Sequence, residues 1–166
     1  MANHNGNEKT IIGVFRQEQE AERAVKSLRD HGFTDKEVSL IGPDSRRGGQ
    51  GGNGHGHGNG PHLASGATWG AGIGGGLGLL AGAGAIAIPG IGPLLAIGPL
   101  AAALTGAAAG GLTGSLTDWG IPEHEAKRVE EDVKRGEFLA VVRTSHDADR
   151  AEQTMRDNGA HDIDKR

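Results

Sequence analysis

The side chains with the chemistry to bind or react fall into three groups. His55, His57 and His62 lie in a run of glycines at residues 46–62, a pattern that invites a metal ion. Three imidazoles on so loose a chain carry a large ordering cost, and no nearby carboxylate or thiol completes a coordination sphere. The chain has no cysteine, so a disulfide framework and a thiolate site are both excluded. The run reads as a flexible linker with at most weak surface affinity for nickel or zinc, and no metal site is expected. The second group, His31, His124, His146 and His161, sits at expected helix ends, where capping or solvation is the ordinary role. The third is a set of arginines that recurs, Arg16 with Arg143 and Arg23 with Arg150. They could frame a symmetric anion site. Salt bridging with Glu20, Glu22, Asp147 and Asp149 on the same helices is the preferred reading. No Ser/His/Asp or Cys/His arrangement can be assembled. The glycine runs lack the Gly-Lys-Ser/Thr ending of a phosphate loop, and residues 70–75 satisfy a Gly-x-Gly pattern by composition alone. An enzyme is not expected, and no cofactor. A net charge of −4 argues against nucleic acid as a partner.

The elements that would position these groups follow from periodicity. Residues 10–15 form a β-branched and aromatic run, read as a strand. Ala21, Ala24, Val25 and Leu28 then mark one stripe of a helix over 17–31, ended by Gly32. Residues 37–41 read as a second strand. A charged helix follows Pro122, placed at its first helical position, with Ala126, Val129 and Val133 as a thin apolar stripe. Its other residues, among them Glu130 and Asp132, read as a solvated face. Residues 138–142 form a third strand, 147–158 a helix ended by Gly159, and 162–164 a short edge strand.

Two parts of the chain match at a constant offset of 127 residues, Val14 falling on Val141 and Gly32 on Gly159. Between these anchors Ala21-Glu22-Arg23-Ala24 matches Ala148-Asp149-Arg150-Ala151, and Leu28-Arg29-Asp30 matches Met155-Arg156-Asp157. Two strand–helix–strand copies in one sheet give an α+β fold, the ferredoxin-like split βαβ arrangement, with both repeat helices on one face.

Residues 64–117, between the copies, hold no charged residue. Gly70, Gly74, Gly78 and Gly82 recur every fourth position, as do Gly106, Gly110 and Gly114. On a helix such spacing makes a small-residue stripe along which two backbones approach closely. A turn signal at 88–93 divides the run into a helical hairpin with arms 70–88 and 94–116, each about 28–35 Å long. That is close to the thickness of a bilayer core, and Trp69 and Trp119 would stand together at one end as interfacial anchors. About half of each arm is Gly or Ala, so burial against copies of the same chain is the competing reading. An exposed apolar surface of this size needs one partner or the other.

The residues divide into a polar N-terminus (1–9), a first βαβ half (10–45), a linker (46–63), the hairpin (64–119) and a charged helix with the second βαβ half (120–166). Residues 1–7 are polar and do not read as a secretory signal, so the expected location is cytoplasmic, at the inner face of the membrane if the hairpin meets lipid. The Val14-Phe15 strand, the 21–32 helix, the zipper insert and Gly120-Ile121-Pro122-Glu123 through Leu139-Ala140-Val141 together resemble bacterial general stress proteins of the YflT-like, heat-induced type. The resemblance implies stress-linked expression and no catalytic residue. The expected function is a non-enzymatic stress protein that self-associates through its zipper hairpin, as a homo-oligomer or a membrane patch. The alternative is a small-ligand-sensing regulatory module, which rests on fold analogy.

Overall fold

The computed structural model describes residues 8–43, 84–88, 91–106 and 111–166. In chain order these form β1 (Lys9–Phe15), α1 (Glu18–Asp30), β2 (Val38–Pro43), β3 (Gly84–Ile88), β4 (Gly92–Ile97), α2 (Pro99–Gly106), α3 (Gly111–Asp118), α4 (Glu123–Lys134), β5 (Phe138–Thr144), α5 (Ala148–Asp157) and β6 (Asp162–Lys165). The fold is α+β. Its strands make one six-stranded sheet in the order β3-β4-β2-β5-β1-β6, and every neighbouring pair is antiparallel.

Antiparallel strands often leave one face to water, and their sequences then alternate apolar with polar. Here β1, β2 and β5 are buried almost throughout, because helices cover both faces. Successive side chains point to opposite faces. Ile11, Phe15, Leu40, Ala140 and Val142 therefore enter one core with Ala21, Ala24, Val25 and Leu28 of α1 and Ala151 and Met155 of α5. Ile12, Val14, Ile41, Leu139 and Val141 enter a second core with Leu100 and Leu104 of α2, Leu112 and Leu116 of α3, and Ala126, Val129 and Val133 of α4. The repeat helices share one layer and the intervening helices make the other. Where strands crowd, glycine leaves room: a Cβ on Gly42 would stand 2.2 Å from Cδ1 of Phe138 on β5.

The expected equivalence of the two copies extends to single hydrogen bonds. Gly32 and Gly159 both take positive φ, 95° and 103°. Phe33 N–H donates to Leu28 O, and Ala160 N–H to Met155 O, each at 3.1 Å. This is the six-to-one bond of a Schellman ending, which satisfies carbonyls the helix leaves free.

The uncharged run departs from the expected helical hairpin. Residues 84–88, taken above as the end of the first arm, are strand β3. The second arm, taken as one helix over 94–116, is instead strand β4 followed by the two short helices α2 and α3. The turn signal at 88–93 falls between two strands, since β3 and β4 pair antiparallel with Ile88 opposite Gly92. The physical reason lies on β2. Its free edge and its buried Leu40 and Ile41 need a hydrogen-bonded neighbour, and β4 supplies one over Leu94–Ile97. α2 is then started from the sheet itself. Gly98 has φ 87°, and a Cβ there would lie 2.3 Å from Val38 O. The fully buried Ser39 of β2 presents its Oγ to Leu100 N–H at 3.1 Å.

The charged helix also differs from its reading as a solvated face. Glu130 Oε2 accepts Thr113 N–H at 3.1 Å and the Thr113 hydroxyl as well, so a side chain of α4 caps the start of α3. Asp132 is buried and pairs with Arg135. Pro122 is the N-cap of α4, one position before the helix begins.

Candidate functional site

The expected site residues scatter. Gly70, Gly74, Gly78, Gly82, Gly110 and Trp69 lie outside the described residues, as do His55, His57 and His62. Gly106 ends α2 and Gly114 lies within α3, so these two share no single helical stripe. Trp119 is half-buried against the second core, with the Arg143 guanidinium 5.6 Å above its ring. Its carbonyl accepts the Thr10 hydroxyl at 3.2 Å.

The paired arginines do not converge. Arg143 pairs with Glu8 at 2.7 Å, and Arg23 Nε donates to the Gln19 carbonyl at 3.1 Å rather than to a carboxylate. Asp149, expected beside Arg150, pairs with Lys165 at 2.6 Å. The histidines have separate partners. His31 Nδ1 lies 3.1 Å from the Thr154 hydroxyl, and His161 Nε2 lies 2.8 Å from Glu137. Among the described residues no group of three His, Asp or Glu side chains is placed to hold a metal.

Two polar constellations escaped the sequence reading. Glu37 ties the α1–β2 turn to the end of β5. Its Oε2 accepts Thr34 N–H at 2.9 Å and the Thr34 hydroxyl at 2.8 Å, and its Oε1 accepts the Thr144 hydroxyl at 2.8 Å. Burial pushes this carboxyl up. The Thr34 and Thr144 bonds and the neighbouring His146 outweigh that and hold it below the usual carboxylate range. The signal was present in Thr34-Asp35-Lys36-Glu37, the spacing of a capping box on a single turn. Glu130 behaves alike: burial raises its carboxyl, while Thr113 and Lys134 bring it below its ordinary value. No local pattern announces that contact, since Thr113 and Glu130 belong to different helices.

A shallow surface depression, with no enclosed space for a water molecule, lies between α4 and β6, floored by Ile12, Val14 and Val129 and rimmed by Glu125, Arg128, Asp162 and Asp164. Its rim is internally paired: Arg128 with Asp162 at 2.6 Å, and Arg166 with Glu125 and Asp164. Each carboxylate there already faces a guanidinium of the same chain, which leaves little charge to recognise a ligand.

The uncharged run is the feature that neither packing nor ion pairing fully absorbs. Part of it is spent on the second core, where Leu94, Ala96, Leu100, Leu104, Leu112 and Leu116 are buried. It also supplies β3, Gly-Ala-Ile-Ala-Ile, which among the described residues is the outermost strand on that side of the sheet. Among the described residues no helix is long and apolar enough to cross a membrane.

An antiparallel α+β sheet clad on both sides, two of whose strands come from an uncharged Gly/Ala-rich segment, is the class of protein that fold and surface define. The chain belongs to DUF1269, a family of proteins of unknown function, whose profile matches residues 63–165. No curated protein and no solved structure matches it. The matched range takes in the whole of the uncharged run, α4, β5, α5 and β6, and leaves out β1, α1 and β2.

Proposed function

We propose that this is a non-enzymatic protein of the general-stress type it resembles, and that it self-associates through its uncharged segment. The observation that carries the reading is the placement of that segment. Residues 64–117 carry no charge, and their described parts are built into the protein as strands and short helices with leucines buried against the sheet. A segment already suited to burial in protein is suited to burial against another copy. We read β1-α1-β2 and β5-α5-β6 as the halves of a ferredoxin-like split βαβ domain, with the charge-free run and α4 inserted between them. The order β2-β5-β1-β6 and the matched endings at Gly32 and Gly159 support this. The competing ligand-sensing reading would have to use a surface such as the α4/β6 depression, and the internal pairing of its rim weighs against it.

Light scattering on the full chain, with liposome flotation of the same preparation, tests the proposal. A uniform soluble particle larger than one chain is the expected result. Flotation with lipid would assign the segment to a membrane surface instead. Replacing Gly74, Gly78 and Gly110 by leucine tests whether the zipper glycines take part, and a smaller particle would place them at the contact. Unchanged size would remove the zipper glycines from the mechanism.

A further inference from the structure

The two edges of the sheet are built differently. One is β6, Asp162-Ile163-Asp164-Lys165, whose side chains pair with Arg128, Asp149 and Glu152. Charges at an edge are a common protection against strand pairing. The other is β3, which has neither a charge nor a proline, and among the described residues no strand pairs with its outer side. The register says which of its main-chain groups face outward. Ala87 lies opposite Pro93, which has no N–H to donate. Hydrogen-bonded and non-bonded pairs alternate across an antiparallel ladder. The bonded pairs toward β4 are therefore Gly84 with Ala96, Ile86 with Leu94 and Ile88 with Gly92, and the N–H and C=O groups of Ala85 and Ala87 point away from β4. The same parity explains how a proline is tolerated in β4. Leu95 and Ile97 face Gly42 and Leu40 of β2, while Pro93 falls one step past Pro43, the last residue of β2.

We infer that β3 is the self-association edge: two copies pair β3 against β3, antiparallel, through the main-chain groups of Ala85 and Ala87. The inference rests on the self-association reading and names its surface. The occupant is a second copy because two identical antiparallel strands form an isologous contact. Donors and acceptors two residues apart on one copy meet the same groups on the other, and the contact closes at two. Pairing β3 with β6 of another molecule would lay an uncharged strand beside Asp162 and Asp164 and would propagate without closing. No charged side chain within residues 64–117 opposes approach of a second copy.

Sedimentation velocity on the full chain, from low to high micromolar, compares wild type with Ala85→Pro, Ala87→Pro and Ala85→Lys. Each proline removes an outward N–H and leaves the β3–β4 ladder its donors. The lysine keeps the N–H and adds a charge to the edge. The expected result is an associating wild type and variants whose association is weaker by at least about tenfold, with unchanged far- and near-ultraviolet circular dichroism. If a proline variant loses its folded spectrum, the lysine variant decides. Folded variants that associate as tightly as wild type overturn the edge proposal and place self-association elsewhere in the segment. A wild type that stays monomeric throughout overturns both readings.

Discussion

Replacing Ser39 by alanine tests whether the uncharged run is seated on the sheet. Ser39 lies on β2, fully buried, and its Oγ accepts the main-chain N–H of Leu100 at the start of α2. Leu100 is also fully buried, so water cannot take over the bond. Losing a helix N-cap costs about 1 kcal/mol, and leaving a buried donor unpaired costs about 1–3 kcal/mol. These describe one interaction and are not added, so the expected loss is about 1–2.5 kcal/mol. For a chain of this size that is a fall of about 2–10 °C in the melting midpoint. Urea unfolding should show a lower midpoint with an unchanged slope, since the surface exposed on unfolding is the same. Samples must be compared at one protein concentration, because the proposed association would stabilise the folded state. Thr117→Ala is the control. Its exposed hydroxyl bonds to the Thr113 carbonyl within α3, and its removal should stay within about 0.5 kcal/mol. A loss below about 0.3 kcal/mol for Ser39→Ala would refute the reasoning that β2 anchors the start of α2.

Further expectations follow from other contacts. Gly42→Ala forces a methyl into the Phe138 ring and should cost about 1–3 kcal/mol; adding Phe138→Leu should recover part of that, and a double-mutant cycle with no coupling would contradict the close approach. Leu116→Ala, at a fully buried site, should cost about 2–5 kcal/mol in the same urea assay. Glu37 and Glu130 titrate below their ordinary values in the folded chain. Their stabilisation is therefore complete above the unfolded value of about 4.3 and is lost as pH falls through the lower folded values. Stability measured from neutral pH downward should drop less steeply below that point in Glu37→Gln/Glu130→Gln, and an unchanged acid limb would exclude these two carboxylates as its source. A fragment of residues 63–166, which spans the matched family range, lacks β1, the strand between β5 and β6. It should show no cooperative thermal transition, and a sharp one would mean that β5 and β6 find another arrangement.

The repeat made most of the fold readable. Val14 and Val141, or Gly32 and Gly159, can be matched by eye, and the helices they bracket have clear apolar stripes and glycine endings. The strands of the uncharged run were not readable for a specific reason. Short runs such as Ala85-Ile86-Ala87-Ile88 and Leu94-Leu95-Ala96-Ile97 suit a buried helix and a buried strand equally by periodicity. What decides between them is the unpaired edge of β2, far away in sequence. The polar anchors failed for the same cause. Ser39 and Glu130 look like ordinary strand and surface residues until Leu100 and Thr113 are brought to them. Glu37 was the exception, since its Thr-x-x-Glu spacing is local. The absence of charge from residues 64–117 was plain from the sequence, but not that Ala85 and Ala87 would turn their backbones outward.

The order of the central strands has a consequence for how the chain is made. β1 and β2 leave the ribosome first, but they are not neighbours: β5 stands between them. β2 can pair with β4 as soon as residues 92–97 emerge, but β1 has no partner until β5 is complete at Thr144. For most of synthesis Ile11, Ile12, Val14 and Phe15 therefore wait without a ladder, and the ladder that finally pairs them joins residues more than a hundred positions apart. Such separations slow folding and lengthen the exposure of apolar strands. The nascent β1 strand is thus exposed with an unpaired backbone for longer than β2.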